Sequence, residues 1–308
     1  MRTWKVISVS LGSSRGNKTA EVEILGRPFE LIRVGTDGSL KQAAELIATY
    51  DEMPDVKAIG LGGIDRYIIL PNGRRYEFKD AAALADRASL TPVVDGSGLK
   101  HTLERRVVQQ IARDKTVQLL GCPTFLVCGV DRFGMAEALH QAGAKVTYGD
   151  LLSIGLPWPL RSATALELLG QLTLPIITRL PFAWVYPTGE KQSGEQPVHR
   201  AGARLCAENE LIAGDFHYVR KYMSEHLDGK VILTNTTRPH HVEELQQRGL
   251  STLITTTPAF AGGSFGTNVM EGVLVALLEK PFEEIDPHKD YPPLLDKLGW
   301  GPNVVQLN

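Results

Sequence analysis

Asp215, His217, Tyr218 and Arg220 stand close together, just after the strand pattern at residues 210–213 and where a helical pattern opens. A histidine beside a carboxylate is the pair most easily tuned for proton transfer near neutral pH. The phenol of Tyr218 would orient it, and Arg220 would clamp an anion. Asp215 could equally be no more than the cap of the helix behind it. A second group is Asp95-Gly-Ser-Gly98-Leu-Lys100, again at the end of a strand pattern. There Lys100, with Asp95 nearby, could hold a substrate carboxylate or hydroxyl and shuttle a proton. A sister turn, Gly60-Leu-Gly-Gly63-Ile-Asp65, also follows a strand pattern, and two such turns together suggest a cleft. The catalytic expectation is therefore His217, Asp215, Tyr218, Lys100 and Asp95.

The stretch from Thr124 to Asp150 reads as a buried strand, a glycine-bounded turn (Gly129-Val-Asp131-Arg132-Phe-Gly134-Met135), a short helix and a second strand ending in an acid. A Rossmann unit meets a dinucleotide in that order, with helix N–H groups aimed at a phosphate and the acid on the ribose diol. Gly129, Asp131, Arg132, Gly134, Met135 and Asp150 are the expected contacts. NAD is the expected cofactor, because a carboxylate repels a 2′-phosphate; NADP is the variant to test. Asn235, Thr236 and Thr237 close a later strand and would add amide and hydroxyl groups beside the nicotinamide. The glycine-rich loop 262–268, with Ser264, Thr267 and Asn268, precedes another helix pattern and suits an anion or carbonyl oxygen.

Strand patterns at 5–11, 20–25, 29–34, 56–61 and 91–94 alternate with helical ones at 40–50, 81–88 and 99–113, and Pro71-Asn-Gly73 signals a hairpin. Strands alternating with helices argue for an α/β protein with mixed or parallel sheets. We expect two domains: an N-terminal mixed α/β domain over 1–115, on the substrate side, and a C-terminal Rossmann-like doubly wound sheet over 116–280. The latter carries an insertion at 151–206, and 281–308 form a tail. The polar turn 186–192 after the insertion's apolar helix could be a lid, a dimer contact or the end of a core helix. His240 and His241 are expected on a helix surface.

The 308 residues have a formal net charge of −2, which gives no reason to expect nucleic acid or anionic membrane as a partner. Cys122, Cys128 and Cys206 have no metal-ligand spacing and suggest neither a metal site nor a disulfide framework. A cytoplasmic protein, homo-oligomeric and acting on a small molecule, is the expectation.

Three segments carry a resemblance: Gly-Val-Asp-Arg-Phe-Gly-Met-Ala from Gly129, Gly-Asp-Phe-His-Tyr-Val-Arg from Gly214, and Ser-Phe-Gly-Thr-Asn-Val-Met-Glu from Ser264. They resemble a bacterial group labelled quinate 5-dehydrogenase, over nearly the whole chain. That resemblance implies a Rossmann enzyme related to shikimate dehydrogenases, with an N-terminal substrate domain and NAD(P). The Asn-Val-Thr-x-Pro-x-Lys signature of shikimate dehydrogenases is absent, and residues 129–134 replace their Gly-Ala-Gly-Gly turn. Lys100 and Asp95 are therefore assigned on chemistry alone. The function expected is NAD(P)-dependent oxidoreduction of a small polar hydroxy or keto substrate between the domains. The alternatives are a transferase using a nucleotide or S-adenosylmethionine, and a ligand-binding Rossmann protein without catalysis.

Overall fold

The computed structural model describes residues 2–185, 199–260 and 263–308; the turn 186–192 lies outside them. The chain opens with β1 (Trp4–Ser10), β2 (Lys18–Ile24), β3 (Arg27–Gly35), α1 (Leu40–Asp51) and β4 (Val56–Gly62). A hairpin of β5 (Tyr67–Ile69) and β6 (Arg75–Glu77), then α2 (Lys79–Ala85) and β7 (Val93–Val94), complete the first lobe's strands. Its sheet runs β2-β3-β1-β4-β7, all parallel except β2, which is antiparallel to β3. The sequence pattern explains the positions. β1 is buried continuously from Val6 onward and lies in the middle, whereas β2 alternates between half-buried and exposed residues and forms an edge. The chain leaves through α3 (Ser97–Leu99), a π-helical turn over Lys100–Glu104, and α4 (Arg105–Arg113). Such π-turns gather at functional sites.

The second lobe contains β8 (Pro123–Leu126), α5 (Phe133–Gln141), β9 (Lys145–Tyr148), α6 (Asp150–Ser153), α7 (Ala163–Ile177), α8 (Phe182–Val185) and α9 (Arg200–Glu208). It continues with β10 (Leu211–Gly214), α10 (Phe216–Tyr222), β11 (Val231–Thr234), α11 (Pro239–Gln247), β12 (Thr252–Thr255) and a small hairpin of β13 (Ala259–Phe260) and β14 (Gly263–Ser264). The chain ends with α12 (Thr267–Leu278), α13 (Pro287–Leu298) and β15 (Asn303–Gln306). The second sheet runs β15-β12-β11-β10-β8-β9, with only β15 antiparallel. Its order reverses between β8 and β10, the place where open α/β sheets bind ligands. The α/β class and two-part architecture read from the sequence hold.

Two boundaries differ from expectation. α12, assigned from sequence to the second domain, returns to the first sheet and packs on β4, β1 and β7. A Cβ built on Gly272 would sit 2.6 Å from the Val6 side chain, so the helix rests almost on the strand. α12 is buried from Thr267 to Ala276 and mostly apolar all round, so its pattern names no single face; its buried Asn268 and Glu271 are hydrogen-bonded to Ser8 and to Gly96 and Tyr291. The expected tail at 281–308 is also structural: it holds α13 and the edge strand β15. Among the described residues no helix is long and apolar enough to cross a membrane.

Candidate functional site

The loops at the carboxyl ends of the two sheets face each other. From the first lobe come Asp65, beyond β4, and Lys100, beyond β7; from the second come Asp131 and Arg132, beyond β8, and Asp215, beyond β10. The Lys100 ammonium lies 2.5 Å from Asp65 and 3.2 Å from Asp131, so one lysine bridges the lobes. Arg132, whose side chain is 1% exposed, donates to Glu104 in the π-turn and, at 2.9 Å, to Asp215. Asn235 Nδ2 donates to the same Asp215 oxygen at 2.7 Å. Four carboxylates thus surround two cations. Among the described residues no three His, Cys, Asp or Glu side chains converge as a metal ion would require.

Burial decides the electrostatics, and the partners then correct it. Desolvation, joined by the charges of Asp131 and Asp95 and opposed by Lys100, pushes Asp65 up to about 7. Burial works against the Lys100 charge, but Asp131 and Asp65 outweigh it and raise its pKa, so the lysine remains an ammonium. Burial likewise opposes ionisation of Asp215, yet Arg132, then His217 and its backbone N–H, hold it down at about 2. Burial raises the Tyr218 phenol, with Cys128, Asp131, Asp215 and Asp65 adding to the effect; this residue therefore borders the cluster.

The cluster is not the one expected. Lys100 pairs with Asp65 rather than Asp95. Asp95 is buried and fully occupied as a turn anchor, accepting the N–H groups of Arg66 at 2.6 Å, Tyr67 at 2.9 Å and Ser97 at 3.0 Å. Lys100 cannot act as the free proton shuttle either, because its neighbours stabilise its charge. His217 is exposed and reaches Asp215 through its backbone N–H at 2.9 Å, so Asp215 does cap α10. Helix phase explains this: Phe216, Val219 and Tyr222 face the core, which turns His217 outward. His241, expected at the surface, is buried, accepts the Arg238 N–H, and is held neutral by desolvation, with His240 adding to the shift. Asp65 and Glu104 were missed as site residues. Asp65 stood in the quoted glycine turn; Glu104 had no signal beyond its four-residue spacing from Lys100.

The turn at 129–134 does not fit a dinucleotide as folded. The Asp150 carboxylate, expected on a ribose, is buried and accepts the N–H groups of Gly129 at 2.9 Å and Val130 at 2.8 Å. Those are the donors a phosphate would use. Burial lifts Asp150 to about 6, opposed by these same backbone bonds. Gly129 lies beneath the insertion: a Cβ there would meet the Leu166 side chain of α7 at 2.7 Å. Gly134 is small for a different neighbour, since its Cβ would come within 3.1 Å of the His101 carbonyl oxygen. Met135 is wholly buried core, and Arg132 points into the ion cluster rather than outward. Asn235 serves Asp215 and the Phe216 N–H. Thr236 and Thr237 are half-buried at the same edge.

A family model described as "Domain of unknown function (DUF8754)" matches residues 98–307. The chain belongs to this family. A second model, "Domain of unknown function (DUF8753)", matches residues 5–95. The DUF8754 match therefore begins inside the turn that carries Asp95 and Lys100, and it includes α12, which completes the other lobe. No curated protein matches the sequence. Solved structures similar to it include the glutamate dehydrogenase of Thermus thermophilus, 12% identical over 96% of this chain and 73% of that one, with a TM-score of 0.40. The arabinose-binding periplasmic protein of Shewanella sp. ANA-3 is 11% identical over 90% and 86%, with a TM-score of 0.36. The methylenetetrahydrofolate dehydrogenase-cyclohydrolase of Trypanosoma brucei is 9% identical over 90% and 86%, with a TM-score of 0.34. At such overlap these proteins say nothing about what this chain binds.

Proposed function

We propose that this DUF8754 chain is an enzyme that removes and returns a proton at the carbon beside a carbonyl of a small polar keto or hydroxy-keto substrate held between the lobes, the electron pair resting meanwhile on the carbonyl oxygen. One observation carries the reading: the Lys100 ammonium sits between Asp65 and Asp131 at facing sheet edges, and Asp65 is the acid poised near neutrality. Lys100 would hold the substrate oxygen and stabilise negative charge developing on it. Asp65 as carboxylate would take the proton from carbon while the electron pair passes to the Lys100-bound oxygen, and as carboxylic acid would return it to carbon. Asp131 holds the ammonium from the other lobe, while Asp215, pinned by Arg132 and Asn235, stays ionised beside it.

Oxidoreduction, the reaction implied by the resemblance to quinate 5-dehydrogenases, needs a hydride carrier besides this centre. The Asp150-filled turn argues against a dinucleotide at residues 129–134, so no step is drawn through one. The test is a panel of polyols, hydroxy acids and keto acids, followed by nicotinamide absorbance with NAD(P) and by solvent-deuterium incorporation without it. Asp65→Asn and Lys100→Met should each lower whichever activity appears by about 10²–10⁴-fold. Normal turnover in a folded Asp65→Asn protein would sink the proposal. Calorimetry with NAD(H) should show no binding to the wild-type turn; tight binding would restore the dehydrogenase reading.

A further inference from the structure

A second charged group, in which Arg33 and Arg238 approach each other from the two lobes, lies at the same ends of the sheets. Lys18 on β2 and Arg33 on β3 are direct cross-strand partners in the antiparallel pair. Like charges placed opposite one another destabilise a sheet. Arg238, beyond β11 in the other lobe, approaches the same place. A Cβ built on Gly16 would lie 2.7 Å from Arg33 Nη1 and 3.3 Å from Arg238 Nη2, so both guanidinium groups border one point. Arg33 is held in position by the Ser13 carbonyl at 3.1 Å and the Ser10 hydroxyl at 3.1 Å, both neutral acceptors. Lys18 stacks its ammonium 4.1 Å over the Phe265 ring.

The acid that acts on Arg33 is Asp37, which is exposed and already accepts the Ser14 N–H at 2.7 Å. Among the described residues no carboxylate forms an ion pair with Arg33 or Arg238. Burial, then the charges of Arg238 and Arg33, lower the Lys18 pKa; burial, then Arg238, lower that of Arg33. The folded chain thus brings Arg33 and Arg238 from two lobes together at an energetic cost, and an anion between them would remove that cost.

We propose that Arg33 and Arg238 form an anion subsite for a carboxylate or phosphate group on the ligand whose reacting end lies at Lys100 and Asp65. This rests on the proposed function, whose reactive end it complements. In the first sheet β3 and β4 are separated only by β1, so the two ends lie two strand spacings apart, about 10 Å at the level of the strands. Because Arg33 and Arg238 belong to different lobes, an anion between them also ties the crevice shut.

The test is calorimetry and thermal unfolding of the full chain with inorganic phosphate and with malonate, each against chloride at matched ionic strength. One or both should bind and raise the melting temperature, and the preferred anion identifies the group. Arg238→Ala should weaken that binding at least tenfold. Arg238 is exposed, so the variant should fold, and in low-salt buffer without anion it should melt no lower than wild type, since a repulsion is gone. Arg33→Gln should weaken binding as well, whereas Lys100→Met should keep it. Equal anion binding by wild type, Arg238→Ala and Arg33→Gln, or no binding of either anion beyond chloride, overturns the subsite. Because this readout needs no turnover, anion binding with an inert Asp65 would fault only the reaction, and turnover without anion binding would fault only the subsite.

Discussion

Replacing Lys100 by methionine keeps the length of the side chain and deletes only its charge. The wild-type side chain is 12% exposed, and its partners Asp65 and Asp131 are 19% and 10% exposed, so two carboxylates would be left facing each other with little water. Breaking a buried ion pair by removing one partner costs ~3–5 kcal/mol. The chain has one way to reduce that loss, which is to protonate Asp65. That acid already stands at about 7 in the fold, against about 3.9 in an unfolded chain, and it would rise further without Lys100. Its folded pKa being raised, the associated stability is complete below about pH 4 and is lost as the pH climbs through about 7. The variant should therefore lose ~3–5 kcal/mol relative to wild type near pH 8 but only ~1 kcal/mol near pH 5. Urea unfolding at both pH values measures this directly. An equal loss at the two values, or under ~1 kcal/mol near pH 8, would show that Lys100 does not compensate buried carboxylates.

Two further outcomes follow from the packing. Gly134→Val places branched carbons where even a Cβ would be 3.1 Å from the His101 carbonyl, so α5 must shift from the π-turn; a loss of ~1–3 kcal/mol in urea unfolding is expected, and full stability would refute the close-approach account. Glu271, which accepts the Gly96 N–H and the Tyr291 hydroxyl, is pushed up to about 8 by burial, with the Asp95 charge adding to it. Wild-type stability tied to Glu271 is lost as the pH rises through about 8. Glu271→Gln should flatten the decline of the urea midpoint over that range, and unchanged slopes would count against it.

Much of the fold was legible because its signals are local. The buried run of β1, the alternation of β2 and the Pro71–Gly73 turn each follow from side chains a few residues apart. The site was legible in place but not in role. Asp65 ends one glycine turn beyond a strand and Asp95 opens another, and nothing in the sequence says which will be consumed by backbone N–H groups. Asp150 was found at its expected distance from Gly129, but its carboxylate reaches back into the turn instead of out to a ligand. The cover of that turn, Leu166, comes from the insertion and lies outside the span of any local pattern. The pairing of Arg33 with Arg238 was invisible for the same reason, since two lobes must meet before it exists.

The return of α12 to the first lobe has a mechanical consequence. The described chain passes between lobes three times: after α4, before α12 and again before β15. A relative rotation of the lobes must bend all three connections together, which confines it to an axis they share. A single nick in any one leaves the lobes tethered by the other two. The boundary near residue 95 that divides the two family models is therefore no line of mechanical separation. A fragment ending there would lack the helix that covers β1 and β4, so the halves can be exchanged between chains only with the α12 surface matched.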